Sequence, residues 1–340
     1  MNFFITNREI IKQNGKETIR ENGREHAGDN LRFGTYDLIK KEFNLFPEPA
    51  NLPETLYDNL NIKKTVNLKG SALFFKTLYD ELSKPGKPLK AGEIEKGDVL
   101  FFIHGFNTDL QGVRDDFARL HKKYVENPDS TVKHIMIFTW PGRSPLIPLH
   151  YFDDKKDAIR SGEALARGFE KVTAFFKEFF LKDRNPLCNR NIHLMAHSMG
   201  NRVLKHVLLE LDKKGIAKPE LFSEIISIAA DIEYTIFEKG EAYHSLIDLG
   251  KRVHVYYHNN DRVLDISAFT KNFTNRLGKH GRKSIDPTLE DVFDVNATKT
   301  KDDPEYNFKT DAFNHWYYYS SKQVVNDIIN VFKGGRTKLG

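Results

Sequence analysis

Apolar runs alternate with amphipathic stretches along most of this chain. Residues 99–103 (VLFFI) are continuously apolar and end in His104-Gly105-Phe106. A short run of this kind predicts a strand buried on both faces, as in a parallel sheet. The pattern recurs at 135–140 (IMIFTW, ended by Pro141-Gly142), 192–196, 224–230 (EIISIAA), 253–257 and, more weakly, 292–295. Helical periodicity fills the intervals. Residues 71–83 place Phe74, Leu78 and Leu82 every fourth position, with Phe75 widening the stripe. The span 157–181 puts Ala158, Leu165, Phe169 and Val172 near one face, and 199–212 puts Val203, Leu204, Val207, Leu208 and Leu211 in register. Nearer the amino terminus, residues 3–5 and 31–36 read as strands. A polar, charged stretch runs to about Asn30 between them, and residues 44–70, with Pro47, Pro49 and Pro53, read as irregular. Strands alternating with helices predict a mostly parallel sheet covered on both faces. Ligands of such sheets lie beyond the carboxyl ends of the strands.

Composition narrows the class. The chain has 340 residues, 39% hydrophobic and 29% charged, with 26 phenylalanines and 13 tyrosines to fill a large core. A net charge of +5 over this length favours solubility over nucleic-acid binding. The one concentration of positive charge is Lys271, Arg276, Lys279, Arg282 and Lys283. It predicts a solvated loop first and a surface for an anion second. Cys188 is the single cysteine, so no intramolecular disulfide forms, and a reducing compartment is expected. The amino terminus has no charged leader before an apolar stretch, and no run approaches the roughly 18 apolar residues of a membrane span. These features predict a cytoplasmic protein without an integral membrane segment. No Cys/His cluster has zinc spacing, so neither metal nor organic cofactor is expected.

The chemistry gathers after strand ends. In Ala196-His197-Ser198-Met199-Gly200, the serine follows an apolar strand and directly precedes an amphipathic helix. That context predicts a nucleophile elbow, although alanine stands where glycine is usual two positions before the serine. Ser198 would then sit at a helix amino end, where the Met199 N–H can donate to an oxyanion. Phe106, after the strand that ends in His104-Gly105, is the expected second donor. Serine needs a base, and the base needs a carboxylate. Two aspartates compete for the acid. Asp261 follows the strand two after the nucleophile strand, the usual acid position, whereas Asp231 ends the strand between. Only His280 and His315 come later than Asp261. His280 lies in a basic loop, and His315, in Asn314-His315-Trp316-Tyr317, follows the last strand, which favours it. His104, Gly105, His197, Trp140 and Asp231 are candidates to line the substrate pocket.

The ordered set FFITNR, LRFG, FFIHGFN, FTWPG, MAHSMGNRVL, AADI, YYHNNDRVL and HWYYYS resembles the DUF900 family, an α/β-hydrolase family of bacterial proteins long filed as a domain of unknown function. The resemblance runs from about residue 1 to residue 322. Its most specific part is AHSMGN with the upstream HGFN. It implies an α/β-hydrolase fold with an about eight-stranded sheet, the triad Ser198, Asp261 and His315, and oxyanion donors Phe106 and Met199. It implies no substrate.

These features predict one domain over residues 1–335. They predict a serine hydrolase that cleaves small carboxylic esters or thioesters through an acyl-enzyme. An amidase or peptidase on the same scaffold, or a hydrolase-like binding protein without turnover, are the alternatives. Segments 44–90 and 262–290 are candidates to cover the site. In the latter, Phe269 and Phe273 among basic residues suggest an amphipathic lid.

Overall fold

A computed structural model describes residues 1–21, 27–48, 69–86, 88–142, 148–176, 189–218, 220–269, 274–301 and 313–339. In chain order the strands are β1 (Asn2–Thr6), β2 (Ile10–Gln13), β3 (Lys16–Ile19), β4 (Arg32–Asp37), β5 (Glu42–Leu45), β6 (Asp98–Ile103), β7 (Val132–Thr139), β8 (Ile192–His197), β9 (Phe222–Ile228), β10 (Gly250–Tyr257) and β11 (Val292–Asn296). The helices are α1 (Gly70–Leu82), α2 (Leu110–Leu120), α3 (Pro148–Phe176), α4 (Gly200–Lys213), α5 (Arg262–Phe269), α6 (Leu277–His280), α7 (Tyr317–Ser320) and α8 (Lys322–Phe332).

Nine strands form one sheet in the order β11-β10-β9-β8-β6-β7-β1-β4-β5. From β11 to β1 all neighbours pair in parallel. At the far edge β4 and β5 pair antiparallel. The sheet is therefore one strand wider than expected. The additional strand, β5, begins before the 44–70 stretch that reads as irregular and runs into it, and four residues with alternate positions exposed leave little apolar signal. β2 and β3 form a separate hairpin.

Alternation within the central strands divides the core into two layers. On β6, Val99, Phe101 and Ile103 pack on the face covered by α1, α3 and α4. Leu100 and Phe102 pack on the opposite face, under α2 and α8. Each such side chain contributes about 1.5–3 kcal/mol by leaving water, and both faces need helices because the strand has no polar side. α1 packs Phe74 edge-on against Phe3, with ring centroids 5.7 Å apart, and against Phe33 at 5.2 Å. That part of the 44–90 segment thus serves the core under β1 and β4. Residues 49–68 and 87 lie outside the described residues. α3 begins earlier than its periodicity suggests, at Pro148, a residue suited to the first helical position. Among the described residues, no helix is long and apolar enough to cross a membrane.

Candidate functional site

β8 and α4 meet in a turn too tight for ordinary residues. Ser198 has φ +51°, in the left-handed region. For a non-glycine residue this conformation is strained and persists only where the surroundings enforce it. Here they do. The Ser198 N–H donates to Ile228 O at 3.1 Å, and the Asp231 N–H donates to Ser198 O at 3.1 Å. The end of β9 therefore grips both sides of the serine peptide. Two residues on, a Cβ on Gly200 would lie 2.4 Å from Ile103 O and 2.7 Å from His104 O. Only glycine allows α4 to cross β6 so closely. Asn201, fully buried, donates from Nδ2 to Ala196 O at 2.7 Å and accepts at Oδ1 from Ser227 Oγ at 2.7 Å. Tyr243 Oη donates to Asn201 O at 2.8 Å.

The loop after β6 comes to the same place. A Cβ on Gly105 would lie 2.9 Å from Ser198 Cβ and 3.1 Å from His197 Nδ1, so the loop backbone rests on the nucleophile turn. Phe106 follows directly, and Met199 precedes the first residue of α4. The first N–H groups of a helix have no acceptor within it. His104 and Trp140 lie beneath, both with no exposed surface. Their rings stack at 5.2 Å, and Trp140 Nε1–H donates to His104 O at 3.1 Å. Trp140 N–H donates to His104 Nε2, so Nδ1 carries the proton and donates to Gly105 O at 2.9 Å. Burial, with the charge of Arg8, pushes the His104 pKa down to about 3 and keeps it neutral. These two residues brace the loop from below instead of facing a ligand. Arg8, itself buried, donates to Thr139 Oγ1 at 2.7 Å and to Thr108 O at 2.6 Å, tying β1 and β7 to the same loop.

The turn after β10 meets the segment before α7. His315 Nδ1 and Asp261 Oδ2 lie 2.7 Å apart, and both residues are buried. An ionised carboxylate only accepts, so Nδ1 is the donor and Nε2 is the basic nitrogen. The second oxygen, Asp261 Oδ1, accepts the Leu264 N–H at 3.0 Å and caps α5. His315 is anchored through its backbone as well. His197 Nε2–H donates to His315 O at 3.0 Å. Burial, then the neighbouring His315 charge, holds the His197 pKa well below the usual value. Tyr317 Oη donates to Tyr256 O at 3.0 Å and accepts the Ala229 N–H at 3.1 Å, which fastens α7 across the ends of β9 and β10.

Of the two candidate acids, Asp261 contacts His315. Asp231 instead faces Arg276, with 3.5 Å between Oδ1 and Nε. His280, the rival base, is the last residue of α6, where burial and then the Lys279 charge lower its pKa. The sequence reading missed Arg8, Asn201, Ser227, Tyr243 and Tyr317. Arg8, Asn201 and Tyr317 stand within the quoted FFITNR, MAHSMGNRVL and HWYYYS strings, whereas Ser227 and Tyr243 had no local signal. The others act through contacts far apart in sequence. Phe273 lies outside the described residues, as does Lys271. A cavity of about 660 Å³ lined by Phe75, Phe101, Phe169, Ile192 and Phe222 opens at the opposite, amino ends of the strands. It contains none of the residues at the Ser198 turn.

A parallel sheet with a strained serine turn at the end of its central strand, and an Asp–His pair two strands away, defines the α/β-hydrolase class. The chain belongs to the family described as alpha/beta hydrolase of unknown function (DUF900), whose model matches residues 89–331. No curated protein matches the chain.

Proposed function

We propose that this protein is a serine hydrolase that cleaves carboxylic esters or thioesters through an acyl-enzyme. Ser198 attacks the carbonyl carbon. His315 Nε2 takes the serine proton and later returns it to the leaving group. Asp261 keeps the His315 proton on Nδ1 and stabilises the imidazolium. The N–H groups of Phe106 and Met199 receive the oxyanion. Water, deprotonated by the same histidine, then releases the acid and restores Ser198. The observation that carries this reading is the buried 2.7 Å contact between His315 Nδ1 and Asp261 Oδ2, joined through the His197 side chain and the His315 backbone to the turn that holds Ser198 in its left-handed conformation.

The electrostatics agree with these roles. Among the described residues, His104 and His197 beside the Ser198 turn are held neutral by burial, His104 at about 3 and His197 well below its usual value. Each has its ring nitrogens committed to backbone groups or packed against backbone. Their commitment to backbone groups, with the contact of His315 to Asp261, supports His315 as the proton shuttle. The experiment is turnover of p-nitrophenyl esters of short and long acyl chain by the wild type and Ser198→Ala. Loss of turnover by more than about a thousandfold in the variant is expected. Turnover that survives the substitution overturns the assignment.

A further inference from the structure

His197 is the last residue of β8 and directly precedes the nucleophile, yet it is only 4% exposed. Its ring meets three other groups. A Cβ on Gly105 would lie 3.1 Å from His197 Nδ1, so the backbone that leads to the oxyanion donor Phe106 rests against the ring. The Tyr318 ring lies 4.7 Å away, inclined at 48°. The His315 ring lies 4.8 Å away at 56°, and His197 Nε2–H donates to His315 O at 3.0 Å. One side chain thus joins the oxyanion loop to the base, and its own backbone continues into Ser198.

The base needs such a link. His315 stands between Asn314, with φ +52°, and the four residues of α7, so neither a strand nor a long helix holds it. The bonds just before it lead back to the acid. The Arg262 N–H donates to Phe313 O at 3.0 Å, and Asn314 Nδ2 donates to Asn260 O at 3.2 Å. With the His315–Asp261 contact, these bonds fix the segment to the turn after β10. Tyr317 fastens the residues that follow across the ends of β9 and β10. Ser198 follows β8, two strands from β10, and the His197 bond reaches the base from that side. The proton that makes this bond sits on Nε2. Burial, then the His315 charge, keeps the ring neutral, so Nδ1 carries none. The link therefore adds no positive charge beside the His315 imidazolium.

We propose that His197 is a positioning residue, whose Nε2–H bond to the His315 carbonyl sets the reach of the base to Ser198. Its effect on turnover rests on the serine-hydrolase reading, whereas the bond itself can be tested without a substrate.

Two variants separate the donor from the ring. His197→Phe keeps a ring against Gly105 and Tyr318 but has no donor. His197→Gln loses the ring but carries an amide N–H at the same number of bonds from Cβ. With p-nitrophenyl butyrate, His197→Phe is expected to lose about a hundredfold in kcat, the effect of a misplacement of about 1 Å, with KM within about threefold. His197→Gln should recover to within about tenfold of the wild type. The second measurement needs no turnover. Selective nitrogen-15 labelling of histidine, with His197 assigned by its absence from His197→Gln, should show a neutral ring protonated at Nε2. Equal losses of kcat in the two variants, a kcat for His197→Phe within about threefold of the wild type, or a loss carried by KM overturns the proposal with the hydrolase reading intact. A ring protonated at Nδ1 overturns it whatever the turnover. An Nε2–H ring in a wild type that does not hydrolyse the ester upholds the bond and overturns the hydrolase reading.

Discussion

The turns after β9 and β10, one and two strands from the nucleophile strand, each carry a buried aspartate, yet the two serve different partners. After β10, Asp261 directs one oxygen to His315 at 2.7 Å and the other to the first turn of α5. After β9, Asp231 gives its N–H to Ser198 O and its carboxylate to Arg276 at 3.5 Å. The first aspartate fixes the tautomer and orientation of a histidine ring. The second holds a backbone and neutralises a guanidinium. Residue type and strand-end position do not separate the two, since both satisfy the rule that catalytic groups follow strand ends. What separates them is the partner, and the partner is brought in by a segment 54 residues downstream in one case and by the β9–α6 contact in the other.

Substitutions can break this contrast. Asp261→Asn removes the acceptor that fixes the His315 tautomer, and kcat for ester hydrolysis is expected to fall by about 10³–10⁴ with Tm changed little. Asp231→Asn is expected to do the reverse. It should lower stability by about 1–3 kcal/mol, read as a lower denaturant midpoint, because a buried guanidinium loses its carboxylate. Its cost in kcat on neutral esters should stay below about tenfold. Equal losses of kcat in the two variants would remove the distinction.

A smaller effect sharpens the account of the elbow. Asn201→Ala deletes the amide that ties Ala196 O to Ser227, leaving buried groups unsatisfied at about 1–3 kcal/mol. The expected signature is a fall in kcat of about ten- to hundredfold with KM nearly constant, since the turn loosens while the pocket stays. A rise in KM alone would place Asn201 outside nucleophile positioning.

The smallest effect concerns a third buried aspartate. Asp116 on α2 has Arg119 3.7 Å away, and burial pushes its pKa up to about 7 against that charge. A carboxyl with a raised folded pKa contributes stability below its unfolded pKa of 3.8, and that contribution is lost as pH rises towards 7. Asp116→Asn should therefore stabilise the protein more at pH 8 than at pH 5, by about 1–3 kcal/mol in the difference. Thermal melts of both proteins at the two pH values check the sign. A larger gain at pH 5 would contradict it.

Much of the parallel half was legible because continuous apolar strands and 3.6-residue stripes each leave a mark in the sequence. β6, β7, β8, β9, β10 and α4 sit within a few residues of where their patterns put them. The serine turn was legible for the same reason, because its context is strand then helix. The hairpin β2–β3 was lost among polar residues, although Asn14-Gly15, with φ +50° and +75°, is the dipeptide that a tight hairpin turn demands. β9 ends at Ile228, not at Ala230, because Ala229 takes φ +47° to swing the chain towards Ser198. Its apolar side chain carries no hint of that. The clamp from His197 to the His315 backbone and the Tyr317 bridge across two strands were illegible, since each joins residues more than 50 apart by geometry alone.

Covalent labelling separates the two aspartates and locates the nucleophile in one experiment. The wild type, Asp261→Asn and Asp231→Asn are treated with a fluorophosphonate, and the adduct is mapped by peptide mass spectrometry. A single adduct on Ser198 is expected, formed rapidly in the wild type and in Asp231→Asn and at least about a hundredfold more slowly in Asp261→Asn. An adduct on another residue, or fast labelling of Asp261→Asn with none of Asp231→Asn, would contradict this expectation.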